Sequence, residues 1–211
     1  MNLGQHLPAA KQGFERTIAS VVQKIRRYGA RQAVSTVLLV FGLVLIFYVA
    51  ASYGFMYGQQ RRLMQEWREQ QNFTSGTTST EPNLTRLLIP KINLDVVTVE
   101  GTSHRALTQG PGHLVHTALP GDPGNAVIAA HRDTYFRHVY QLKPGDDIFV
   151  ERAGRKYHYV VTSKRVVQPT DLSVLDTSSE SRLTLITCYP IYFVGPAPER
   201  LIVFAKLVNP V

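Results

Sequence analysis

Apolar and polar positions divide the chain into a basic tail, an apolar stretch and a longer mixed region. Residues 32–60 contain no charged side chain, and the segment 33–56 is almost entirely apolar. About 20 apolar residues in a helix cross the ~30 Å hydrocarbon layer of a membrane. The pattern therefore predicts one transmembrane helix over residues 32–58.

The charge in front of this helix predicts its orientation. Residues 1–31 hold six basic residues and one acidic residue, and basic flanks stay on the cytoplasmic side. We expect a cytoplasmic N-terminal tail, with everything after about residue 58 outside. A cleaved signal peptide is the alternative because Ala50 and Ala51 are small. However, a 31-residue leader and so long an apolar stretch exceed the usual signal dimensions.

A linker is predicted between the apolar stretch and the mixed region, over residues 59–83. Residues 59–72 are compatible with a short polar helix, and Trp67 is interpreted as a juxtamembrane anchor. The following segment, NFTSGTTSTEP, supplies turn formers without a hydrophobic pattern. Such composition is typical of a flexible tether.

The region 84–211 has the pattern of an all-β domain. Short runs of β-branched and apolar residues are separated by Gly and Pro, which predicts strands. The predicted strands are 86–89, 94–99, 125–130, 147–152, 156–167, 183–188 and 201–207. Only the connections at 134–143 and 170–176 are expected to be helical, with Thr170 or Asp171 as a cap for the second. Residues 153–155 are expected to turn a hairpin, and no βαβ unit is expected. We expect one closed barrel or a sandwich, and closure would hide the strand edges.

The net charge does not indicate nucleic-acid binding. The chain has 23 Lys plus Arg against 15 Asp plus Glu. The excess lies mainly in the tail, whereas residues 81–211 hold 14 basic and 12 acidic residues. Phosphate binding needs basic residues clustered on one surface, so nucleic acid is not expected as a partner.

Three residues at predicted strand ends could form a reactive site. Cys188 ends the strand LTLITC, His131 follows the strand NAVIAA, and Arg200 begins the last strand. Acyl transfer requires a nucleophile, an acid/base and a stabiliser for the oxyanion, and these three side chains supply them. Taken singly, a lone Cys is more often a small buried hydrophobe. The His could equally be structural, and an isolated Arg would usually face solvent.

The stretches AVIAAHRDTYF, LTLITCYP and YFVGPAPERLIV carry a family resemblance. From about Leu84 to Leu207 the chain resembles sortases, most closely those of class D, and TLITC matches the TLxTC signature of the family. The resemblance implies an eight-stranded closed β-barrel with one or two short helices and one N-terminal transmembrane helix. It implies a bacterial plasma-membrane enzyme with its catalytic domain outside.

The resemblance also implies the reaction and its partners. Sortases are cysteine transpeptidases that cleave a C-terminal LPxT-type sorting motif after Thr and hold the acyl group as a Cys thioester. The implied acceptor is an amine of a peptidoglycan precursor or of another protein such as a pilin. No cofactor is implied.

Site residues follow from the resemblance position by position. Cys188 is the implied nucleophile, His131 the general acid/base and Arg200 the residue that orients carbonyl groups and stabilises the oxyanion. Three weaker candidates accompany them. The backbone N–H of Tyr189 is a candidate second oxyanion donor, Thr187 either positions substrate or is structural, and Asp133 either orients the imidazole or is a solvated turn residue.

The remaining histidines do not predict a metal site. His113 and His116 are three residues apart in a segment that is not helical, without the Cys or carboxylate partners that metals need. Packing or exposed roles are expected for both. His104, His138 and His158 are expected to lack partners.

Two other functions remain open from the residues alone. An L,D-transpeptidase is also an exported β-rich cysteine acyltransferase, but its Cys follows a Ser-x-Gly context that TLITC does not match. The second alternative is a non-catalytic tethered β-module that binds a partner through Tyr189, Tyr192 and Phe193. Those aromatic residues could instead line a substrate groove.

Overall fold

A computed structural model of the chain describes residues 7–73 and 84–210. The chain divides into two compact units, Met1–Gly54 and Phe55–Val211. The first unit is formed in its described part by helix α1 (Leu7–Phe73), which extends into the second unit. The flexible tether was predicted over NFTSGTTSTEP, residues 72–82; its first two residues belong to α1, and the rest lies outside the described residues.

Helix α1 contains an apolar stretch suited to a lipid environment. Within Gly29–Gln71 it is long and apolar enough to cross a membrane, and that apolar window is not buried within the protein. The large apolar side chains at residues 37–49 are exposed around the helix. A helix that is apolar on all sides needs a surrounding apolar medium. The predicted apolar helix is confirmed.

In its described residues, the second unit contains the C-terminal part of α1, eight strands and one short α-helix, α2 (His104–Gln109). Strands β1 to β8 are Thr85–Ile89, Leu94–Glu100, Gly112–His113, Asn125–Ala129, Asp147–Arg152, Arg155–Val167, Arg182–Tyr189 and Glu199–Pro210. Short 3-10 helices occupy Pro90–Ile92, Val139–Gln141 and Leu172–Leu175. The predicted strands are all present, each within about two residues of its predicted bounds except for β8, which extends to Pro210.

The strands close into a barrel in the order β1, β2, β3, β4, β7, β8, β6, β5. Pairing is antiparallel except for β2 with β3 and β4 with β7, which are parallel. Parallel neighbours cannot be joined by a tight turn, so long connections bring β7 beside β4. This crossover places the end of the strand before His131 next to the end of the strand that carries Cys188.

Helix α2 and strand β3 were not predicted. Strand β2, α2 and β3 form a small βαβ unit, contrary to the expectation of none. The helix has six residues, too few for a periodic signal, and its Ser103 cap accepts a hydrogen bond from Ala106 N–H at 3.2 Å. Strand β3 has two residues in a segment rich in Gly and Pro, so alternation could not reveal it.

The hydrophobic core fills the barrel interior. Side chains alternate along a strand, and the inward set on β7 includes Leu183 and Leu185, while that on β8 includes Val203 and Ala205. These side chains are nearly or fully buried. The even-numbered residues of β7 and β8 therefore project to the outer face, which decides where the reactive side chains lie.

The predicted hairpin turn is confirmed between β5 and β6. Ala153 and Gly154 connect Arg152 to Arg155, with φ of 52° and 74°. Two central residues with positive φ match the twist of a hairpin. At Ala153 this conformation carries a steric cost that the following Gly154 does not.

The C-terminal part of α1 packs against the barrel within the second unit. The Gln60 side-chain amide donates to the carbonyl oxygens of Val97 and Gln109 at 3.1 and 2.7 Å, and its oxygen accepts from Val97 N–H at 3.0 Å. Gln60 thereby occupies the place of a strand partner for β2. A Cβ at Gly110 would lie 2.5 Å from the Gln60 amide nitrogen, so glycine there permits this approach.

Trp67 also belongs to this contact, which corrects its interpretation as a membrane anchor. Only 9% of its surface is exposed, and the guanidinium of Arg86 lies 5.0 Å from its ring centre. Arg86 in turn pairs with Asp95 at 2.6 Å and Glu151 at 3.1 Å. The C-terminal part of α1 is therefore packed on the barrel through Trp67, although the sequence around Trp67 is mostly polar.

Candidate active site

Cys188 lies at the end of β7, directly opposite Arg200 at the start of β8. Cys188 is a free thiol and is partly buried. Both residues belong to the outward set of their strands, because Leu185 and Val203 point inward. Paired residues of an antiparallel ladder project to the same face. The thiol and the guanidinium therefore share the outer face of the barrel at one end of the β7–β8 ladder.

His131 follows β4 on the opposite flank of β7. Ala129 is the partner of Ile186 in the parallel β4–β7 ladder, and Ala130 N–H donates to Ile186 O at 3.1 Å. Two residues further along each strand, the register leads to His131 beside Cys188. The inward position of Ala130 places His131 on the outer side by alternation. The three residues singled out in the sequence are thus at neighbouring strand ends on one face.

The Arg200 side chain is held by hydrogen bonds to the residues that precede it in the chain. Its guanidinium donates to Glu199 O at 2.9 Å and Ala197 O at 3.3 Å. These contacts occupy one terminal nitrogen. The fork of donors in an arginine leaves further N–H groups that can meet a carbonyl oxygen.

Of the weaker candidates, Thr187 has a structural partner. It is 2% exposed, faces the interior and donates to Ala130 O at 2.9 Å. Its hydroxyl ties the end of β7 to the residue before His131. The structural alternative considered for Thr187 fits this geometry better than contact with substrate.

Tyr189 and Asp133 are less well placed for their predicted roles. Tyr189 pairs with Glu199 in the β7–β8 ladder, so its backbone N–H would be available to an oxyanion only where that pairing opens. Asp133 is exposed, and in the described part of the chain it makes no hydrogen bond with His131. The alternative of a solvated turn residue fits Asp133.

A buried polar network on the outer face was missed by the sequence analysis. Asn125 accepts a hydrogen bond from Thr184 Oγ1 at 2.6 Å and donates to the carbonyl oxygens of Val174 and Asp176 at 3.1 and 3.2 Å. Asn125 and Thr184 are at most 3% exposed. The network fastens the β6–β7 connection over the far end of β4 and β7. Asn is uncommon in strands, so Asn125 in the strand NAVIAA was the sequence feature that could have indicated a buried polar contact.

The outer face of β4 and β7 thus has one covered end and one open end. Val174 lies over the covered end and is 4% exposed. Ala129 and Ile186 are partly buried next along the strands, and Cys188 follows at the open end. An apolar floor that leads to a free thiol suits an extended peptide.

A second imidazole lies beside His131. The ring centres of His104 and His131 are 5.9 Å apart in an edge-to-face arrangement. His104 is exposed at the start of α2, a helix that sequence analysis did not find. This neighbour could not be anticipated because its placement depends on that helix.

Two other histidines have partners on the barrel. His113 is 5% exposed and contacts Glu100 and Ala118 O, each at 3.0 Å, which fits the packing role expected for it. His158 lies 2.7 Å from Asp147, so the expectation that it lacks a partner was wrong. Both pairs join neighbouring parts of the barrel, away from Cys188.

A cavity of about 450 Å³ opens beside the end of β7. Its lining residues are Tyr140, Lys164, Arg165, Val166, Tyr189, Pro190, Ile191, Tyr192 and Leu201. Leu201 and Tyr189 belong to the inward sets of β8 and β7, whereas Cys188 projects outward. The cavity is therefore beside the end of β7, and Cys188 is not among its lining residues.

Comparison with known proteins gives the family of the domain. A family model for the sortase domain matches residues 87–208, more than half of the chain. The chain belongs to the sortase family. Among characterised relatives, sortase D of Bacillus subtilis strain 168 is 37% identical over 124 residues, which cover 58% of this sortase and 63% of that relative. This sortase thus spans less than two thirds of the relative's length.

Solved structures agree with this assignment. A sortase D5 transpeptidase of Clostridium perfringens superposes with a TM-score of 0.59 at 27% identity, covering 72% of this sortase and 98% of that chain. A pilus-related sortase C of Group B Streptococcus gives 0.57 at 28% identity, covering 62% and 70%. The expectation of a closed eight-stranded barrel of the sortase type is confirmed.

Proposed function

We propose that this sortase is a cysteine transpeptidase with Cys188, His131 and Arg200 as its catalytic residues. The observation that carries the proposal is the register of three adjacent strands. Cys188 is the direct partner of Arg200 on one side, and the β4–β7 register leads to His131 on the other. Nucleophile, acid/base and cation are the groups that acyl transfer requires.

In the first half of the reaction, the Cys188 thiolate attacks the carbonyl carbon of the scissile peptide bond. The carbonyl oxygen becomes an oxyanion, which the Arg200 guanidinium stabilises with N–H donors. The C–N bond then breaks, and His131 delivers a proton to the departing amine. The acyl group remains on Cys188 as a thioester.

In the second half, an acceptor amine attacks the thioester carbon. The amine gives a proton to His131, the new amide C–N bond forms, and the C–S bond breaks to release the thiolate. His131 ends each cycle in its starting protonation state. One imidazole can serve both halves because it works as an acid in the first and as a base in the second.

The proposed substrate is a secreted protein with a C-terminal LPxT-type motif that is cleaved after Thr. The proposed acceptor is an amine of a peptidoglycan precursor or of a pilin. Support comes from the family assignment and from the apolar floor made by Ala129 and Ile186. One structural neighbour is described as a pilus-related sortase. The L,D-transpeptidase alternative is set aside because the family model that matches is the sortase domain.

We also propose that the sortase is anchored in the bacterial plasma membrane by one span over residues 32–58. The basic tail of residues 1–31 would lie in the cytoplasm, by the positive-inside rule, and residues 84–211 would act outside. The apolar window of α1 and its exposed side chains support the span. The juxtamembrane segment would include residues 59–83, of which the part to Phe73 is helical.

The test is intact-protein mass spectrometry of the full chain in detergent micelles, mixed with a panel of LPxT-type peptides. We expect a mass increase equal to the acyl fragment, located on Cys188 and removed by hydroxylamine. An oligoglycine acceptor should convert this adduct into a ligated peptide. Cys188→Ala should give no adduct, and Cys188→Ser separates the loss of the thiol from a change of volume.

Two outcomes would overturn parts of the proposal. An adduct that persists in Cys188→Ala would show that Cys188 is not the nucleophile. Because the chain has no second cysteine, the acylated residue would then not be a thiol. No adduct with any peptide of the panel, at a thiol that iodoacetamide still alkylates, would reject the proposed motif class.

A further inference from the structure

Arg132, the residue after His131, grips the loop that joins β7 to β8. This loop, residues 190–198, is called the β7–β8 loop below. One terminal nitrogen of Arg132 donates to Pro190 O at 3.0 Å. The other donates to Phe193 O and Gly195 O, each at 2.9 Å. The guanidinium also lies 5.8 Å from the ring centre of Phe193.

This arrangement matches the particular chemistry of arginine. A guanidinium presents several donors in a rigid plane and stacks on aromatic rings, whereas an ammonium is a compact point charge. Three carbonyl oxygens that converge on one side chain need donors in such a fork. Hydrogen bonds to a charged donor are stronger than those between neutral groups. Lysine at position 132 could not reproduce all these contacts.

The tip of the β7–β8 loop is exposed, and besides the contacts of Arg132 it has a side-chain hydrogen bond between Tyr192 and Tyr140. Tyr192 is 73% exposed, Phe193 45% and Val194 99%. An exposed loop with few buried contacts is held by its hydrogen bonds and not by packing. The contacts of Arg132 at Pro190, Phe193 and Gly195 are therefore the main fixed points of its first half.

The second half of the same loop is bonded to Arg200. The Arg200 guanidinium donates to Ala197 O in this loop and to the carbonyl oxygen of Glu199, the first residue of β8. Two arginines thus bind different carbonyl oxygens of one loop. Arg132 follows His131 in sequence, and Arg200 is the ladder partner of Cys188. A shift of the loop at Gly195 would be transmitted within two residues to the segment that orients Arg200.

We infer that Arg132 is a positioning residue, which fixes the β7–β8 loop and through it Arg200 relative to Cys188 and His131. The inference rests on the proposed function, because it concerns the geometry of that site. Arg132 itself contacts loop carbonyl oxygens and not the reacting atoms. Positioning within an ångström matters because a displacement of about 1 Å can cost roughly 10²-fold in rate.

The experiment compares Arg132→Gln and Arg132→Lys with wild type in the full chain in detergent. The matched control is Arg155→Gln, which removes a charge at the exposed β5–β6 turn. Steady-state transpeptidation of a motif peptide is measured together with the urea midpoint. We expect kcat to fall about tenfold to 10²-fold for Gln and less for Lys, with the urea midpoint nearly unchanged. The control should behave as wild type.

A second readout follows the loop itself. Chymotrypsin cuts after aromatic residues, and Tyr192 and Phe193 lie at the exposed tip. Arg132→Gln should be cut there faster than wild type and than Arg155→Gln, because the carbonyl contacts that restrain the loop are gone. Equal rates of cutting in the three proteins would show that Arg132 does not restrain the loop.

A double-mutant cycle tests transmission through Arg200. If Arg132 acts by orienting Arg200, then Arg132→Gln should have a much smaller effect on turnover in an Arg200→Ala background. Full additivity would overturn that link, and a kcat of Arg132→Gln within about twofold of wild type would overturn the inference as a whole. Failure of the proposed function is distinguishable, since it appears as activity or acylation that persists in Cys188→Ala.

Discussion

Cys188 and Arg200 are direct partners across the β7–β8 ladder, and both project to the outer face of the barrel. Their relation is fixed by strand register and not by a flexible loop, even though a loop of nine residues, 190–198, separates the strands in sequence. Register slips of one residue would turn one of the two side chains to the opposite face. The closed barrel prevents such slips because β7 is paired on both edges.

Arg200→Ala should reduce kcat/KM for a motif peptide by about 10²-fold or more, the usual effect of removing an oxyanion donor. Arg200→Lys should recover only part, because it keeps the charge and loses the planar fork. Steady-state kinetics provide the measurement, with Lys206→Ala on the same strand as the control. Equal activity of Arg200→Ala and wild type would contradict the role.

The two neighbouring imidazoles should differ sharply in importance. His131→Ala removes the proposed acid/base, so turnover should fall at least 10²-fold. His104→Ala removes an exposed ring 5.9 Å away and should cost less than about threefold. The pH profile of kcat/KM would be recorded for both. A larger loss of turnover for His104→Ala than for His131→Ala would indicate that His104 is the acid/base.

Gln60→Ala should destabilise the second unit by about 3 kcal/mol, since three hydrogen bonds to Val97 and Gln109 are lost at roughly 1 kcal/mol each. Gln65→Ala, at an exposed position of the same helix, is the matched control. Trp67 is the single tryptophan of the chain, so its fluorescence during urea unfolding reports this contact. Equal midpoints for the two variants would contradict the packing of α1 on β2.

Alkaline conditions should weaken the barrel through Tyr159. This residue is fully buried, and its hydroxyl oxygen accepts a hydrogen bond from Gly121 N–H at 2.7 Å. Burial raises the pKa of Tyr159 to about 12, whereas an unfolded tyrosine titrates near 10. The unfolded state therefore releases its proton first, and stability present below about pH 10 is lost as the pH rises towards 12.

The measurement is the urea midpoint at pH 9 and pH 11. Tyr159→Phe should have a lower midpoint at pH 9, because Gly121 loses its partner, and a smaller decrease between the two pH values. Tyr192→Phe, at the exposed loop tip, should follow wild type. A decrease in Tyr159→Phe as large as in wild type would show that this phenol is not the source.

The strands and the positions of the three candidate site residues could be predicted because their signals are local. Runs such as LTLITC and NAVIAA identify a strand and its end, and the residues at those ends are read off directly. The sequence signal for the turn at Ala153 and Gly154 was also local. Family resemblance added the closure of eight strands into one barrel, which residue pattern alone left open against a sandwich.

The remaining features depend on contacts between distant segments. Helix α2 is too short for periodicity, and so His104 beside His131 was not foreseen. The packing of Trp67 was misread because its helix has no continuous apolar face, and Gln60 acts through backbone hydrogen bonds. The grip of Arg132 on Pro190 required the loop fold, since nothing in HRDT indicates a partner 58 residues away.

The side chain of Gln60 covers part of the β2 edge that β3 leaves unpaired. Strand β3 covers β2 only at Val99 and Glu100, so the backbone of Val97 would otherwise offer an open donor and acceptor to any passing chain. Soluble versions that start after residue 83 would lack Gln60, leave this edge of β2 exposed and should self-associate. Versions that start at Phe55 would retain Gln60 and should stay monomeric. The C-terminal part of α1 thus also protects β2 against edge-to-edge aggregation.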